Sequence, residues 1–164
     1  MPAPIQFLVG SFATRFLATS VSLSANAAIL SKMESIITPI RVTQAHIMVL
    51  VTNGNVDVGI YELQGATMVP LATSGSTAVG PANLRQTLTL SNPVWLLPDH
   101  IYYAGIAPDN AVAALAGWSS DANVSPYSAY IGLVYRFNAS FPLPVVPFAI
   151  AALGDYRAPG IWFD

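Results

Sequence analysis

The sequence predicts an all-β protein, an antiparallel, jelly-roll-like β-sandwich of about eight strands with extended apolar N- and C-terminal arms. Three features of the pattern support this fold class. Short segments in which apolar and polar residues alternate follow one another at the close spacing of a sandwich. Clusters of Gly, Ser and Asn separate these segments, as turns require. Apart from one helical turn expected near Ser11 to Thr19, no segment has the periodicity of a helix.

The clearest predicted strand runs from Asn55 to Tyr61 and has two alternating faces. One face carries Val56, Val58 and Ile60, and the other carries Asp57, Gly59 and Tyr61, which predicts a half-buried strand. Asn53-Gly54 precedes it, and this dipeptide favours the type I′ turn of a two-residue hairpin. We therefore predict an antiparallel partner strand over Ile40 to Thr52. Its stretch Ile47 to Val51 is apolar on both faces, as in a strand that is covered on both sides.

Further strands are expected along the rest of the chain. Strong alternation or β-branched and aromatic residues indicate Leu84 to Leu90, Val94 to Leu97, Ile101 to Ala107 and Tyr130 to Phe137. Weaker patterns indicate Ala28 to Ile37, Met68 to Thr73 and Val112 to Trp118. Between them, Thr73 to Asn83 and Ser119 to Ser128 have the composition of loops.

The two ends of the chain differ from its middle. We divide the chain into an N-terminal apolar arm (residues 1–27), a β-sandwich domain (28–137) and a Pro-rich extended C-terminal arm (138–164). The arms either pack across their own sandwich or contact another subunit, and both interpretations stay open. Under the second, the large apolar side chains of the arms form a subunit interface: Phe7, Phe12, Phe16, Phe141, Phe148, Ile150, Trp162 and Phe163.

Charged residues are scarce in this protein. Its 164 residues include 6 Lys and Arg and 8 Asp and Glu, or 9% charged, where about 25% is ordinary. A hydrophobic fraction of 54% excludes intrinsic disorder. The arginines are scattered singly, so we expect no nucleic-acid partner. A charge-poor surface must be covered by Ser, Thr and Asn or by partners.

Membrane insertion and secretion are also disfavoured. The longest uncharged stretch, Phe137 to Gly154, is almost long enough to span a membrane, but it contains three prolines that disfavour a continuous helix. No positive charge precedes the apolar N-terminal run, and Arg15 interrupts it, which is unlike a signal peptide. The chain has no cysteine, which excludes disulfides and thiolate metal sites.

The candidates for catalysis and metal binding are few. His46 falls inside a predicted strand, where a hydrogen-bonded sheet residue is the simpler interpretation, and His100 follows Asp99 in a turn, where a solvated histidine is expected. Loop oxygens at Asp109-Asn110 and Asp121-Ala122-Asn123 could join Asp99 around a calcium ion, but turn formation explains them equally well. We therefore assign no catalytic, cofactor-binding or metal-binding residue and expect no enzymatic activity.

Aromatic residues remain as candidates for ligand contact. Six lie in or beside predicted β segments: Trp95, Trp118, Tyr102, Tyr103, Tyr127 and Tyr130. Sugar-binding sandwiches use exposed rings of this kind to stack on pyranose faces. Burial in the core is the commoner situation for aromatic side chains, and we expect it for these.

The middle of the chain resembles a known family. The β-sandwich modules of tailed-bacteriophage structural proteins, found in head fibres, decoration proteins and tail fibres, contain similar runs. The runs here are TNGNVDVGIY (52–61), SGST (74–77), LTLSNPV (88–94) and LPDHIYYA (97–104). The resemblance covers about Ala28 to Trp118. His100 departs from it, since glycine is usual at that position.

The resemblance implies a non-enzymatic phage virion structural protein, such as a decoration, fibre or tail/neck subunit. Such a protein is made in the host cytoplasm, assembles as a homo-oligomer, with a trimer as the favoured form, and docks on other virion proteins. Scarce charge agrees with this, because neighbours cover the apolar surface of an assembled subunit. The alternative is a carbohydrate-binding jelly-roll module, acting as a receptor-binding tip or a surface lectin, because similar strands occur in bacterial modules of that kind. Its partner would be a host-surface glycan.

Overall fold

A computed structural model describes residues 7–9, 19–22, 25, 27–33, 35–110, 114–118, 134–138, 141–149, 158–159 and 161–164. Over these residues all regular elements are β-strands, and all pairings are antiparallel, which confirms the predicted all-β sandwich. No helix in this part of the chain is long and apolar enough to cross a membrane.

Eight of the strands in the described residues have five residues or more, in agreement with the predicted number. They are β3 (Ala27–Lys32), β4 (Ile40–Val51), β5 (Asn55–Gln64), β6 (Thr67–Thr73), β8 (Arg85–Leu96), β9 (Tyr102–Pro108), β10 (Ala114–Trp118) and β11 (Val134–Asn138). Shorter strands are β1 (Phe7–Val9), β2 (Thr19–Ser22), β7 (Thr77–Ala78), β12 (Phe148–Ala149), β13 (Ala158–Pro159) and β14 (Ile161–Phe163).

The strands form two sheets. The first sheet has the order β1-β14-β4-β10-β13, with β8 also paired to β4 and β2 also paired to β10. The second sheet has the order β11-β3-β9-β5-β6-β12, with β7 also paired to β5. The two segments predicted at Leu84 to Leu90 and Val94 to Leu97 are thus parts of one long strand, β8. The helical turn expected at Ser11 to Thr19 lies outside the described residues except for Thr19, which begins β2.

The main core lies between the two sheets, and the alternation read from the sequence places its residues. Val56, Val58 and Ile60 of β5 face the first sheet, as predicted. They pack with Val42, Ile47 and Val49 of β4 and with Leu88 and Leu96 of β8. Burying each such side chain stabilises the fold by about 1.5 to 3 kcal/mol.

The outer face of the second sheet is buried as well, which the sequence did not predict. Residues 141–149 cross it, and Leu143 packs there in a second apolar cluster with Tyr61, Met68 and Tyr103. Phe148 contacts the edge of the Tyr61 ring, with centroids 5.7 Å apart. The hydroxyl of Tyr61 donates a hydrogen bond to the carbonyl of Pro144 (2.9 Å). Strand β5 is therefore buried on both faces instead of one.

Asp57 fastens the 141–149 segment to the second sheet. This residue is fully buried on the outer face of β5. Its Oδ2 accepts the backbone N–H of Leu143 (3.0 Å), and its Oδ1 accepts the hydroxyl of Ser74 (3.2 Å). Burial raises the pKa of this carboxyl, and the hydrogen bonds from Leu143 and Ser74 partly offset that rise.

The predicted hairpin at Asn53-Gly54 is wrong. Strand β4 lies in the first sheet and β5 in the second, so the turn carries the chain from one sheet to the other. Contacts beyond the turn explain this course. Both the backbone N–H (2.8 Å) and the side-chain amide (2.7 Å) of Asn55 donate to the carboxylate of Asp109, and the carbonyl of Gly54 accepts the N–H of Val79 (2.9 Å).

The end of the chain contributes to its own sandwich. Strand β14 pairs with β1 on one side and β4 on the other, and Ile161 and Phe163 are fully buried in the main core. The carbonyl of Asp164 accepts the backbone N–H groups of Thr43 and Gln44 (2.6 and 2.9 Å). The subunit-interface role expected for Phe163 is thus corrected, because its side chain fills an intrachain core and is not available to a neighbour.

The other expected interface residues fall into three groups. Phe141 and Phe148 are half-buried and pack on the second apolar cluster of their own chain. Phe7 belongs to β1 and Trp162 to β14, where the backbones of Phe7 and Phe163 pair. Phe12, Phe16 and Ile150 lie outside the described residues.

Substituting Gly54 by alanine is expected to lower the free energy of unfolding by about 3 kcal/mol. Gly54 has φ +66°, and a Cβ there would collide with Asp109 Oδ1 and Asn110 Nδ2. Gly65→Ala is the matched control, because Gly65 has φ +63° but open space around it, and should cost only about 1 kcal/mol. Urea denaturation measures both, and equal losses would contradict the collision.

Substituting Asp57 by alanine is expected to lower the free energy of unfolding by about 1 to 3 kcal/mol, because the N–H of Leu143 and the hydroxyl of Ser74 lose their acceptor. Asp57→Asn retains an acceptor oxygen and should lose less at neutral pH. Protease cleavage within residues 141–149 should rise in the alanine variant, and unchanged cleavage and stability would argue against the anchor.

The contribution of Asp57 to stability is expected to change with pH in one direction. The folded state raises the pKa of Asp57, so it binds this proton more readily than the unfolded chain does. The contribution of Asp57 to stability is therefore greatest at low pH and falls as pH rises from about 4 through the folded-state pKa. The unfolding free energy of wild type and of Asp57→Asn should be measured against pH. The difference between the two should show this slope. A flat difference would contradict the raised pKa.

Candidate binding cleft

A cleft opens between the two sheets beside β8, which pairs only with β4 among the described strands and is thus an edge. Its volume is about 270 Å³. Residues from both sheets and from the loop after β8 line it: Glu62, Leu71, Asn92, Pro93, Val94, Trp95, Leu97, His100 and Tyr102. Polar and apolar side chains line this open cleft together, and a concave surface of this mixed kind can hold a small ligand.

Trp95 forms the exposed aromatic wall of the cleft. Val94 and Leu96 point into the core, so the alternation of β8 turns Trp95 outward, where 59% of it is exposed. The core position expected for this residue is therefore wrong. Tyr102 and Tyr103, in contrast, are buried as expected. The side chain of Trp118 and the residues Tyr127 and Tyr130 lie outside the described part of the structure.

An irregularity in β8 shapes the rim of the cleft next to Trp95. Val42 of β4 pairs with Val94, whereas Gln44 pairs with Thr89, so four residues of β8 bulge opposite one residue of β4. The bulge places Asn92 beside the second sheet, where its side-chain amide donates to the carbonyl of Leu71 (3.3 Å). Asn92 therefore presents a polar group at the rim.

His100 is held in the cleft by two neighbours. Its ring lies nearly parallel to that of Tyr102, with centroids 6.0 Å apart and planes 14° apart. Its Nδ1 is hydrogen-bonded to Oε1 of Glu62. An ionised carboxylate can only accept, so the proton of this bond lies on Nδ1. Asp99, with φ +65°, makes the turn before His100, which explains why glycine is not needed at His100.

Glu62 and Tyr102 complete the floor. Oε2 of Glu62 accepts the side-chain amide of Gln64 (2.7 Å). Burial raises the pKa of Glu62, but hydrogen bonds from His100 and Gln64, together with attraction to His100, outweigh burial and lower it. Glu62 is therefore ionised at neutral pH. The hydroxyl of Tyr102 accepts the N–H of Leu97 (2.9 Å), which ties the end of β8 to β9.

The remaining sequence candidates lie elsewhere. His46 is buried in β4 as a hydrogen-bonded sheet residue, as expected, with Nδ1 2.9 Å from Thr87 Oγ1 and Nε2 3.0 Å from Asp164 Oδ1. Asp99 and Asp109 precede and follow β9, at opposite ends of a strand about 20 Å long, so the calcium grouping that combined them is wrong. Asp121 and Asn123 lie outside the described residues. No group of three or more potential metal ligands occurs within the described ranges.

The arrangement of the cleft suits binding. Among its described lining residues Glu62 is the only carboxylate, and none is a Ser, Thr, Cys or Lys that could act as a nucleophile. Aromatic, amide, imidazole and carboxylate groups converge there from strands that are far apart in the sequence. No protein-family model and no curated protein matches this chain.

Replacing Glu62 by glutamine is expected to lower the free energy of unfolding by about 0.5 kcal/mol at pH 7, as for a partly exposed ion pair. The pKa of Glu62 is lowered in the folded state, so its contribution is present above the unfolded value, near 4.5, and is lost as pH falls through the folded value. The unfolding free energies of wild type and Glu62→Gln, compared at pH 7 and at pH 3, test for this loss.

The control for Glu62→Gln is Asp99→Asn. It removes an exposed carboxylate from a turn residue whose positive φ asparagine also tolerates, so it reports the effect of losing one surface charge at each of the two pH values. A loss in Glu62→Gln that persists at pH 3 would contradict the ion pair.

Proposed function

We propose that this protein is a non-enzymatic structural subunit of a virion of the tailed-phage type, a decoration, fibre or tail/neck protein that self-assembles and docks on other virion proteins. The observation that carries the proposal is a fixed apolar strip on the outer face of the second sheet. Val145 is 71% exposed there and Val146 64%. In a chain with 9% charged residues, such side chains are suited to burial against a neighbour.

The strip is ordered before any partner binds. Leu143 is buried beneath it, and the hydrogen bonds to Asp57 and Tyr61 hold its backbone. Prolines at 142, 144 and 147 restrict it further. A segment that is already ordered loses little conformational entropy on association, so more of its apolar contact energy remains for binding.

Further apolar side chains are exposed elsewhere on the described surface. Outside the cleft they are Ile37, Val51, Leu84 and Ile101. Depletion of charge is typical of the centre of a protein interface. The assignment to a virion rests in addition on the resemblance of residues 28–118 to phage β-sandwich modules.

We expect the subunit contact on the outer side of residues 141–149 and not along the whole C-terminal arm. Deleting residues 141–164 would remove β14 from the first sheet and uncover both apolar clusters. Such a truncation would unfold the sandwich and would not test assembly. Substitutions at exposed positions are therefore required.

The mass of the native protein tests assembly. Wild type should have the mass of two or more 17.3 kDa chains, and the double variant Val145→Asp/Val146→Asp should shift towards the monomer, because its charges would have to be buried. Ala82→Asp, which adds a charge at an exposed loop position before β8 and away from the strip, should keep the wild-type mass.

A wild-type monomer at the highest soluble concentration would overturn the proposal. It would agree with the alternative, a free carbohydrate-binding module. An oligomer that the double variant leaves intact would show that the contact lies outside the strip.

A further inference from the structure

We propose that the cleft beside β8 binds a single ring of a neutral saccharide, stacked on Trp95 and hydrogen-bonded by Glu62 and His100. This inference does not depend on the assembly proposed above. It rests on the shape of the cleft and on the chemistry of its lining residues.

The aromatic wall accounts for stacking. Trp95 exposes its ring at the mouth of the cleft although neighbouring residues of β8 are buried. The face of an indole ring is electron-rich, and the C–H groups on one side of a pyranose ring are weakly positive, so the two attract each other as they exclude water. Pro93 and Leu97 extend the apolar wall on either side of Trp95.

The polar side of the cleft matches hydroxyl groups. Each oxygen of Glu62 already accepts one hydrogen bond, which leaves capacity for two more, as neighbouring hydroxyls of a sugar can donate. Nε2 of His100 accepts a hydrogen bond from a hydroxyl when the ring is neutral and donates one to a hydroxyl when the ring is protonated. The side-chain amide of Asn92 lies at the rim but already donates to the carbonyls of Leu71 and Pro93, so the hydrogen bonds to the ligand come from Glu62 and His100. Because hydroxyls both donate and accept, a saccharide satisfies both of these residues.

Charge and size narrow the ligand class. The described lining residues include one carboxylate and no Lys or Arg, so a carboxylated or sulfated sugar would find no lysine or arginine to pair with. The volume of about 270 Å³ lies just below the range of about 300–1,000 Å³ that is typical for drug-sized ligands, which suits one sugar unit of a longer glycan.

The same residues argue for binding without hydrolysis. Glycosidases generally need two carboxyl groups on either side of the scissile bond. The described lining offers Glu62 alone, and both of its oxygens are engaged by His100 and Gln64. The cleft would therefore hold a glycan intact, as a lectin does.

Binding to an array of neutral hexose and N-acetylhexosamine oligosaccharides tests the proposal, with sialylated and sulfated glycans on the same array. The full-length protein should retain at least one neutral glycan and none that requires an acidic group. Trp95→Ala should weaken this binding about tenfold, whereas Trp95→Phe should largely preserve it. Glu62→Gln should weaken it severalfold. Leu84→Ala, which removes an exposed apolar side chain outside the cleft, should bind as wild type.

Four outcomes would overturn the inference: no neutral glycan retained, preference for acidic glycans, binding unchanged in Trp95→Ala, or loss of the oligomer in Trp95→Ala. The last would identify Trp95 as a subunit contact. Thermal unfolding of each variant shows that it is folded. A monomer that binds glycan would contradict only the assembly proposal, whereas an oligomer that binds none would contradict only this one.

Discussion

The buried carboxylate of Asp57 is the constraint on which much of this structure depends. A carboxylate in the interior is unfavourable unless hydrogen bonds compensate for lost water. Here the compensating donors are Leu143 and Ser74, which come from two separate segments of the chain. The hydrogen bond from Leu143 to Asp57, that from Tyr61 to Pro144 and the pairing of β12 with β6 hold residues 141–149 across the second sheet, and Tyr61 and Met68 are buried beneath them. The exposed positions of Val145 and Val146 follow from the same attachment.

The two surfaces with proposed roles are built differently. The apolar strip lies on the outer face of one sheet and uses side chains that are close in sequence. The cleft uses residues from β5, β6, β8 and β9 and exists only because the sheets face each other at this edge. Glu62 is hydrogen-bonded by Gln64 and His100, and Tyr102 by the backbone of Leu97, so contacts within the protein fix the positions of these side chains.

The sequence predicted what local alternation determines and missed what distant contacts determine. The inward face of β5 followed directly from its period of two. The turn at Gly54 has the expected dipeptide, but Asp109 and Val79 decide which sheet the chain enters next. The same holds for the cleft. The alternation of Val94 and Leu96 was sufficient to turn Trp95 outward, but its proximity to Glu62 and His100 depends on packing between sheets. Phe163 likewise became a core residue through pairing that no local pattern indicates.

Strand β14 has a consequence for how the protein folds during synthesis. It pairs Ile161 with Ile47 in the middle of the first sheet, and it links β1 to that sheet. A ribosome makes β4 more than a hundred residues before β14, so this flank of β4 stays unpaired while most of the chain emerges. Pairings between such distant residues form slowly, and an unpaired apolar strand invites association with other chains. Completion of the first sheet is therefore a late event in biogenesis, and nascent chains that stall before residue 161 would be targets for chaperones.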